Sequence, residues 1–135
     1  MRILVVDDEM VARTKAEILL SAYGRCETAD TGGQALALAA RALEAGDPFG
    51  LITVDINMPD MQGQELVKGL RGLEERHPGN GAGPAKILMI TAMDDLNNMS
   101  ASFWQGCQGY LVKPLTPQNL LNALELINVT PLTAA

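Results

Sequence analysis

Ile3-Leu4-Val5-Val6-Asp7-Asp8 sets four apolar, β-prone residues directly against two carboxylates. The construction returns three times. Leu51-Ile52-Thr53-Val54 runs into Asp55, Ile87-Leu88-Met89-Ile90 into Thr91, and Tyr110-Leu111-Val112 into Lys113-Pro114. Continuous apolar runs of about four residues suit strands buried on both faces, as in a parallel sheet covered by helices. Parallel strands would put all four polar endings on one edge, and open α/β sheets place their ligand sites on that edge, where strand order reverses. Three carboxylates, a hydroxyl and an ammonium then converge. Such a set suits phosphoryl transfer with a divalent metal.

Amphipathic segments separate these runs, so strands and helices alternate five times, the pattern of a doubly wound α/β domain. Strands are expected near 2–7, 25–29, 50–55, 86–91 and 109–113, and helices near 9–22, 32–45, 62–76, 94–105 and 117–128. Thr31-Gly-Gly-Gln34 fits a capping box ahead of the Ala/Leu-rich second helix. Thr116-Pro117 supplies an N-cap and a proline at the first helical position of the last one. Leu66, Leu70 and Leu73 give the third helix an apolar face; Leu96, Met99 and Phe103 do so for the fourth. The Gly- and Pro-rich segment 77–85 reads as a connection from the third helix to the fourth strand, at the edge opposite the acids. A phosphate-cradling glycine loop must lead from a strand into a helix, and this one runs the other way. Residues 129–135 read as a short tail, no repeat or second domain is expected, and Met1 is expected to be the true start.

The chain has 135 residues, 47% of them apolar and 19% charged, which fits one soluble globular domain. A net charge of −6 argues against direct nucleic-acid binding, which needs clustered Lys and Arg. No apolar stretch approaches ~18 residues, so no membrane span is expected. The apolar start stops at Asp7, too soon for a signal peptide, and a cytoplasmic location is expected. Cys26 and Cys107 have no metal-binding or redox spacing and are read as inert thiols. His77, the one histidine, is assigned no role.

The blocks Asp7-Asp8, Asp55-Ile-Asn57-Met-Pro59-Asp-Met-Gln-Gly63, Thr91-Ala92 and Gly109-Tyr-Leu-Val-Lys113-Pro114 together resemble the receiver domain of two-component response regulators. The resemblance spans about residues 2–128 and keeps the family's order of motifs on the expected elements. It implies a flavodoxin-like, five-stranded parallel sheet of order 2-1-3-4-5 with helices on both faces, with residues 1–128 as the domain. It implies a signalling switch that takes a phosphoryl group on Asp55 from a sensor histidine kinase or phosphotransfer protein and loses it by autodephosphorylation. Beyond that self-directed chemistry, no enzyme is implied.

A carboxylate at a strand end can attack phosphorus in line. Neighbouring carboxylates make that attack electrostatically unfavourable unless a cation is present. The resemblance assigns Mg2+ to Asp8 and Asp55 directly, to Asp7 through water and to the Asn57 backbone carbonyl. It assigns Lys113 and Thr91 to phosphoryl oxygens, makes Thr91 and Tyr110 the moving parts of the switch, and implies a cis bond before Pro114 that turns the lysine inward. A downstream protein would read the surface of the fourth helix, fifth strand and fifth helix, with Trp104 as an exposed contact. Met93 and Asn57 are expected to tune the phosphate lifetime. Taken singly, Asp7-Asp8-Glu9 would serve equally well to cap the first helix, Thr91 as a strand residue and Lys113 as a solvated charge. A phosphohydrolase resembling the haloacid dehalogenases would need a second Asp two residues past the nucleophile, where this chain has Asn57. The remaining alternative, a degenerate receiver acting as an unphosphorylated scaffold, lacks support because no motif residue is missing.

Overall fold

The computed structural model describes residues 1–78, 83–97 and 105–132, with 96 and 97 by backbone alone. The elements run β1 (Arg2–Val6), α1 (Met10–Leu20), β2 (Arg25–Ala29), α2 (Gly32–Glu44), β3 (Leu51–Asp55), α3 (Gly63–Glu75), β4 (Lys86–Thr91), α4 (Met93–Asn97), β5 (Gly109–Val112) and α5 (Pro117–Leu126). All strand pairings are parallel and the sheet order is β2-β1-β3-β4-β5, as the resemblance implied.

Parallel strands covered on both sides must be apolar on both faces, and β3 is buried at all five positions. Alternate residues of β1 divide between two cores. Leu4 and Val6 pack with Ala35, Ala39, Leu66 and Leu70 of α2 and α3, whereas Ile3 and Val5 pack with Ala16, Leu20, Leu120 and Leu124 of α1 and α5. Leu73, the third residue of the expected α3 face, is partly buried against the first of these cores. Val129 belongs to the second core, and the Leu132 N–H bonds to the Ala22 carbonyl at 2.8 Å, so the chain just beyond α5 is packed down.

The cap signals hold. Thr31 Oγ1 accepts from the Gln34 N–H at 3.0 Å, while Gln34 Oε1 reaches one residue further back than a capping box requires, to the Asp30 N–H. Thr116 Oγ1 accepts from the Asn119 N–H at 3.1 Å, with Pro117 opening the helix. The helical face of Met99 and Phe103, the side chain of residue 96, the expected contact of Trp104, and residues 79–82 of the glycine-rich connection lie outside the described residues.

Candidate phosphoacceptor and metal site

Strand register does the assembly. Val6 sits opposite Val54, so Asp7 and Asp55 emerge side by side at the β1/β3 crevice where strand order reverses. Asp55 lies opposite Ile90 and Thr91 opposite Val112, which brings the ends of β4 and β5 to the same edge. Asp7, Asp8 and Asp55 each offer a carboxylate oxygen within 4.8 Å of the others. Asp7 and Asp55 are buried, and Asp8 is exposed. Lys113 Nζ stands 3.5 Å from Asp55 Oδ2, and its own N–H bonds the Thr91 carbonyl at 2.7 Å. The Lys113–Pro114 bond is cis.

Local hydrogen bonds hold the acids in place. Asp55 Oδ1 accepts from the Asn57 N–H at 3.1 Å, and Asp7 Oδ1 from the Glu9 N–H at 3.0 Å. Glu9, at the N-cap of α1, makes no side-chain cap bond; Asp7 accepts from the N–H of that N-cap residue and also offers an oxygen to the acidic cluster. Arg13, one turn into α1, donates to the Asp7 carbonyl at 3.0 Å. Burial pushes the Asp7 carboxyl up from 3.8 to about 6; the Glu9 N–H opposes this, Asp55 adds to it, Lys113 opposes it and Asp8 adds a little more. A proton or a cation at this spot would relieve the repulsion.

The donor set fits a hard divalent ion, which takes carboxylate oxygens at ~2.0–2.1 Å and keeps several waters. One of the three carboxylates, Asp8, is exposed, so the cluster is open to solvent. When bound, such an ion neutralises charge on transferring oxygens.

Three residues of the expected site remain. Thr91 is buried, and its hydroxyl donates to the Ala92 carbonyl at 3.1 Å. Tyr110 is 49% exposed, so its ring is not drawn inward in this conformation. Asn57 turns its side chain away from the acids and donates to Asp95 Oδ2 of α4 at 2.8 Å.

Sequence reasoning missed Asp60, whose carboxylate accepts from the Gly32 and Gly33 N–H groups, both at 3.0 Å, and ties the loop after Asp55 to the start of α2. Those bonds hold its carboxyl below the usual range. Its place in the turn after Asp55 was the only signal available. Both cysteines are thiols packed against the cores; burial, aided by Glu17, pushes the Cys26 thiol up to about 11, and burial raises Cys107 as well.

Residues 3–125 match the response regulator receiver domain family. Chemotaxis protein CheY-3 of Vibrio cholerae serotype O1 is 36% identical over 130 residues, covering 94% of this chain and 91% of its own length. Chemotaxis protein CheY of Pseudomonas aeruginosa is 34% identical, covering 94% of this chain and 95% of itself. Among solved structures, Vibrio cholerae chemotaxis protein CheY4 aligns with a TM-score of 0.69 at 33% identity, covering 96% of this chain and 98% of that one. The receiver domain of the histidine kinase CKI1 from Arabidopsis thaliana aligns with a TM-score of 0.76 at 27% identity, over 93% of this chain and 88% of that one. The chain belongs to the response regulator receiver domain family.

Proposed function

We propose that residues 1–128 form a two-component switch in which Asp55 is the phosphoacceptor, with Val129 packed onto its second core. The observation that carries this reading is the convergence of three carboxylate oxygens within 4.8 Å, with an ammonium 3.5 Å from Asp55, on one sheet edge. A carboxylate oxygen of Asp55 attacks the phosphorus of a phosphohistidine on a sensor kinase or phosphotransfer protein. The P–N bond breaks as the O–P bond forms, and the imidazole leaves. Asp8, Asp55, Asp7 and the Asn57 carbonyl would hold Mg2+, which would neutralise charge on the transferring oxygens. Lys113 moves its pairing from the Asp55 carboxylate to a phosphoryl oxygen as a compact point charge. Water later attacks phosphorus, the O–P bond breaks and the carboxylate is restored. Met93, 55% exposed at the head of α4, and Asn57, held by Asp95, set how readily that water arrives.

The signal leaves through Thr91 and Tyr110. A phosphoryl oxygen draws the Thr91 hydroxyl from the Ala92 carbonyl, and Tyr110 turns into the vacated space. The face of α4, β5 and α5, where Tyr110 and Leu126 are exposed, changes shape for a downstream protein. We place this exchange in the cytoplasm; among the described residues no helix is long and apolar enough to cross a membrane. The net charge of −6 weighs against DNA as the direct target.

Incubation with acetyl phosphate and Mg2+ should add one phosphoryl group by intact mass, labile to mild alkali as an acyl phosphate is. Asp55→Asn should carry none. Equal labelling of the two proteins would remove Asp55 from this role.

A further inference from the structure

The loop from Asp55 to α3 is pinched at its base. The Gly63 N–H bonds the Ile56 carbonyl at 3.1 Å, and Asn57 pairs with Gln62 in an isolated antiparallel bridge. Its tip meets the start of α2. There Asp60 accepts from the Gly32 and Gly33 N–H groups, both at 3.0 Å, with one carboxylate oxygen for each. Met61 lies against the same place: a Cβ on Gly32 would stand 2.5 Å from Met61 Sδ. Met61 packs on the first core, to which Ala35 and Ala39 of α2 belong, so the tip rests on a buried base.

α2 caps its own start through Thr31, which takes the Gln34 N–H on Oγ1 and the Ala35 N–H on its carbonyl. The Gly32 and Gly33 donors go instead to a side chain 28 and 27 residues away. Bonds from N–H groups to a carboxylate are charge-assisted and stronger than neutral ones. Asn57, three residues before Asp60, is otherwise held by Asp55 Oδ1 and by Asp95 Oδ2 of α4. The second of those ties belongs to a helix of the output face, whereas α2 lies outside it. We propose that Asp60 is a positioning residue for the metal site: anchored on Gly32 and Gly33, it fixes the backbone of Asn57 before Mg2+ binds. This rests on the reading of the Asn57 carbonyl as a metal ligand. A loop ordered in advance raises apparent affinity, because a larger fraction of the chains is competent to bind.

Mg2+ titrated into the unphosphorylated full chain labelled with 15N, and read at the amides of residues 7, 8, 55 and 57, gives affinity without phosphoryl transfer. Asp60→Ala should weaken Mg2+ binding about tenfold, the low end for losing a group that orients a metal ligand. Asp60→Asn removes the same charge but keeps one acceptor oxygen, so it should cost about threefold, half of that free energy. Thr31→Ala weakens the same helix start without touching the loop. Its urea midpoint should fall while its Mg2+ affinity stays at the wild-type value. Wild-type affinity in Asp60→Ala would overturn the assignment. Equal losses in the Asn and Ala variants would also do so, since charge alone would then account for the effect. So would an equal loss in Thr31→Ala, which would assign the effect to the helix start as a whole. A wild-type chain that binds no Mg2+ at these amides would sink the metal-site reading and this inference together, an outcome distinct from the other three.

Discussion

Asp7 shows how a single buried carboxyl ties stability to pH and to metal. Its folded-state value of about 6 lies above the ordinary 3.8, so the folded chain holds this proton more tightly than the unfolded chain does. Stability from this group is therefore fully present below about pH 4 and is lost as pH rises through about 6. The loss is up to about 3 kcal/mol for a shift of this size. We expect the urea midpoint of the metal-free protein to fall between about pH 4 and pH 7, and Asp7→Asn to flatten that fall by removing the ionisation. Saturating Mg2+ should raise the pH 7 midpoint, because it binds the folded state alone, and Asp8→Ala should blunt the rise. An equal slope in wild type and Asp7→Asn would refute the assignment of the slope to this carboxyl. The acids themselves were legible because each closes an apolar strand. Asp60 was not, since its partners lie 27 and 28 residues away.

At the level of elements, helix starts were legible where the signal is local. Thr31 and Thr116 cap within three residues of themselves, a pattern that needs no tertiary information. Thr116→Ala should lower stability by about 1 kcal/mol, read as a shift in urea midpoint at unchanged slope. The start of α1 was ambiguous because three consecutive acids suit a helix N-terminus as well as a metal crevice, and Asp7 serves both, bonding the Glu9 N–H and joining the acidic cluster. Val129 was also hidden, because a single apolar residue past a helix has no periodicity to place it in the core. Gly63, the first residue of α3, allows a close approach. A Cβ there would lie 2.8 Å from Met89 Cε and 3.0 Å from Ile56 Cα. The methionine can yield, but the Ile56 backbone, which follows Asp55 directly, cannot do so without moving the end of β3. Gly63→Ala should cost about 1–3 kcal/mol and slow labelling by acetyl phosphate. Wild-type stability and labelling rate in that variant would show that the α3 start is looser than its contacts imply.

For the whole molecule, alternation of strands and helices gave the class, but strand order does not follow from alternation. Local sequence cannot say whether β2 lies outside β1 or between β1 and β3, and the order 2-1-3-4-5 came from the motif resemblance. The consequence of that order is mechanical. Asp55 on β3 adjoins β4, and Thr91 at the end of β4 adjoins β5 through the Lys113 N–H, so one strand separates Asp55 from Tyr110. In the present conformation the Thr91 hydroxyl is spent on the Ala92 carbonyl and Tyr110 is half exposed. Exchanging that neutral bond, worth about 0.5–1.5 kcal/mol, for one to an anionic phosphoryl oxygen, worth about 1.5–3 kcal/mol, shifts a two-state equilibrium roughly fivefold to tenfold. That suffices to bias the switch but not to lock it. Beryllofluoride, bound to Asp55 as a phosphoryl mimic, should therefore shift amides beyond the acidic cluster, at 93–97, 109–112 and along α5. Thr91→Ala should still bind Mg2+ and beryllofluoride yet lose most of the shifts at 109–112, because the donor that moves is gone. If wild type binds beryllofluoride tightly while 93–112 stay unmoved, the path through Thr91 and Tyr110 is wrong even though Asp55 remains the acceptor.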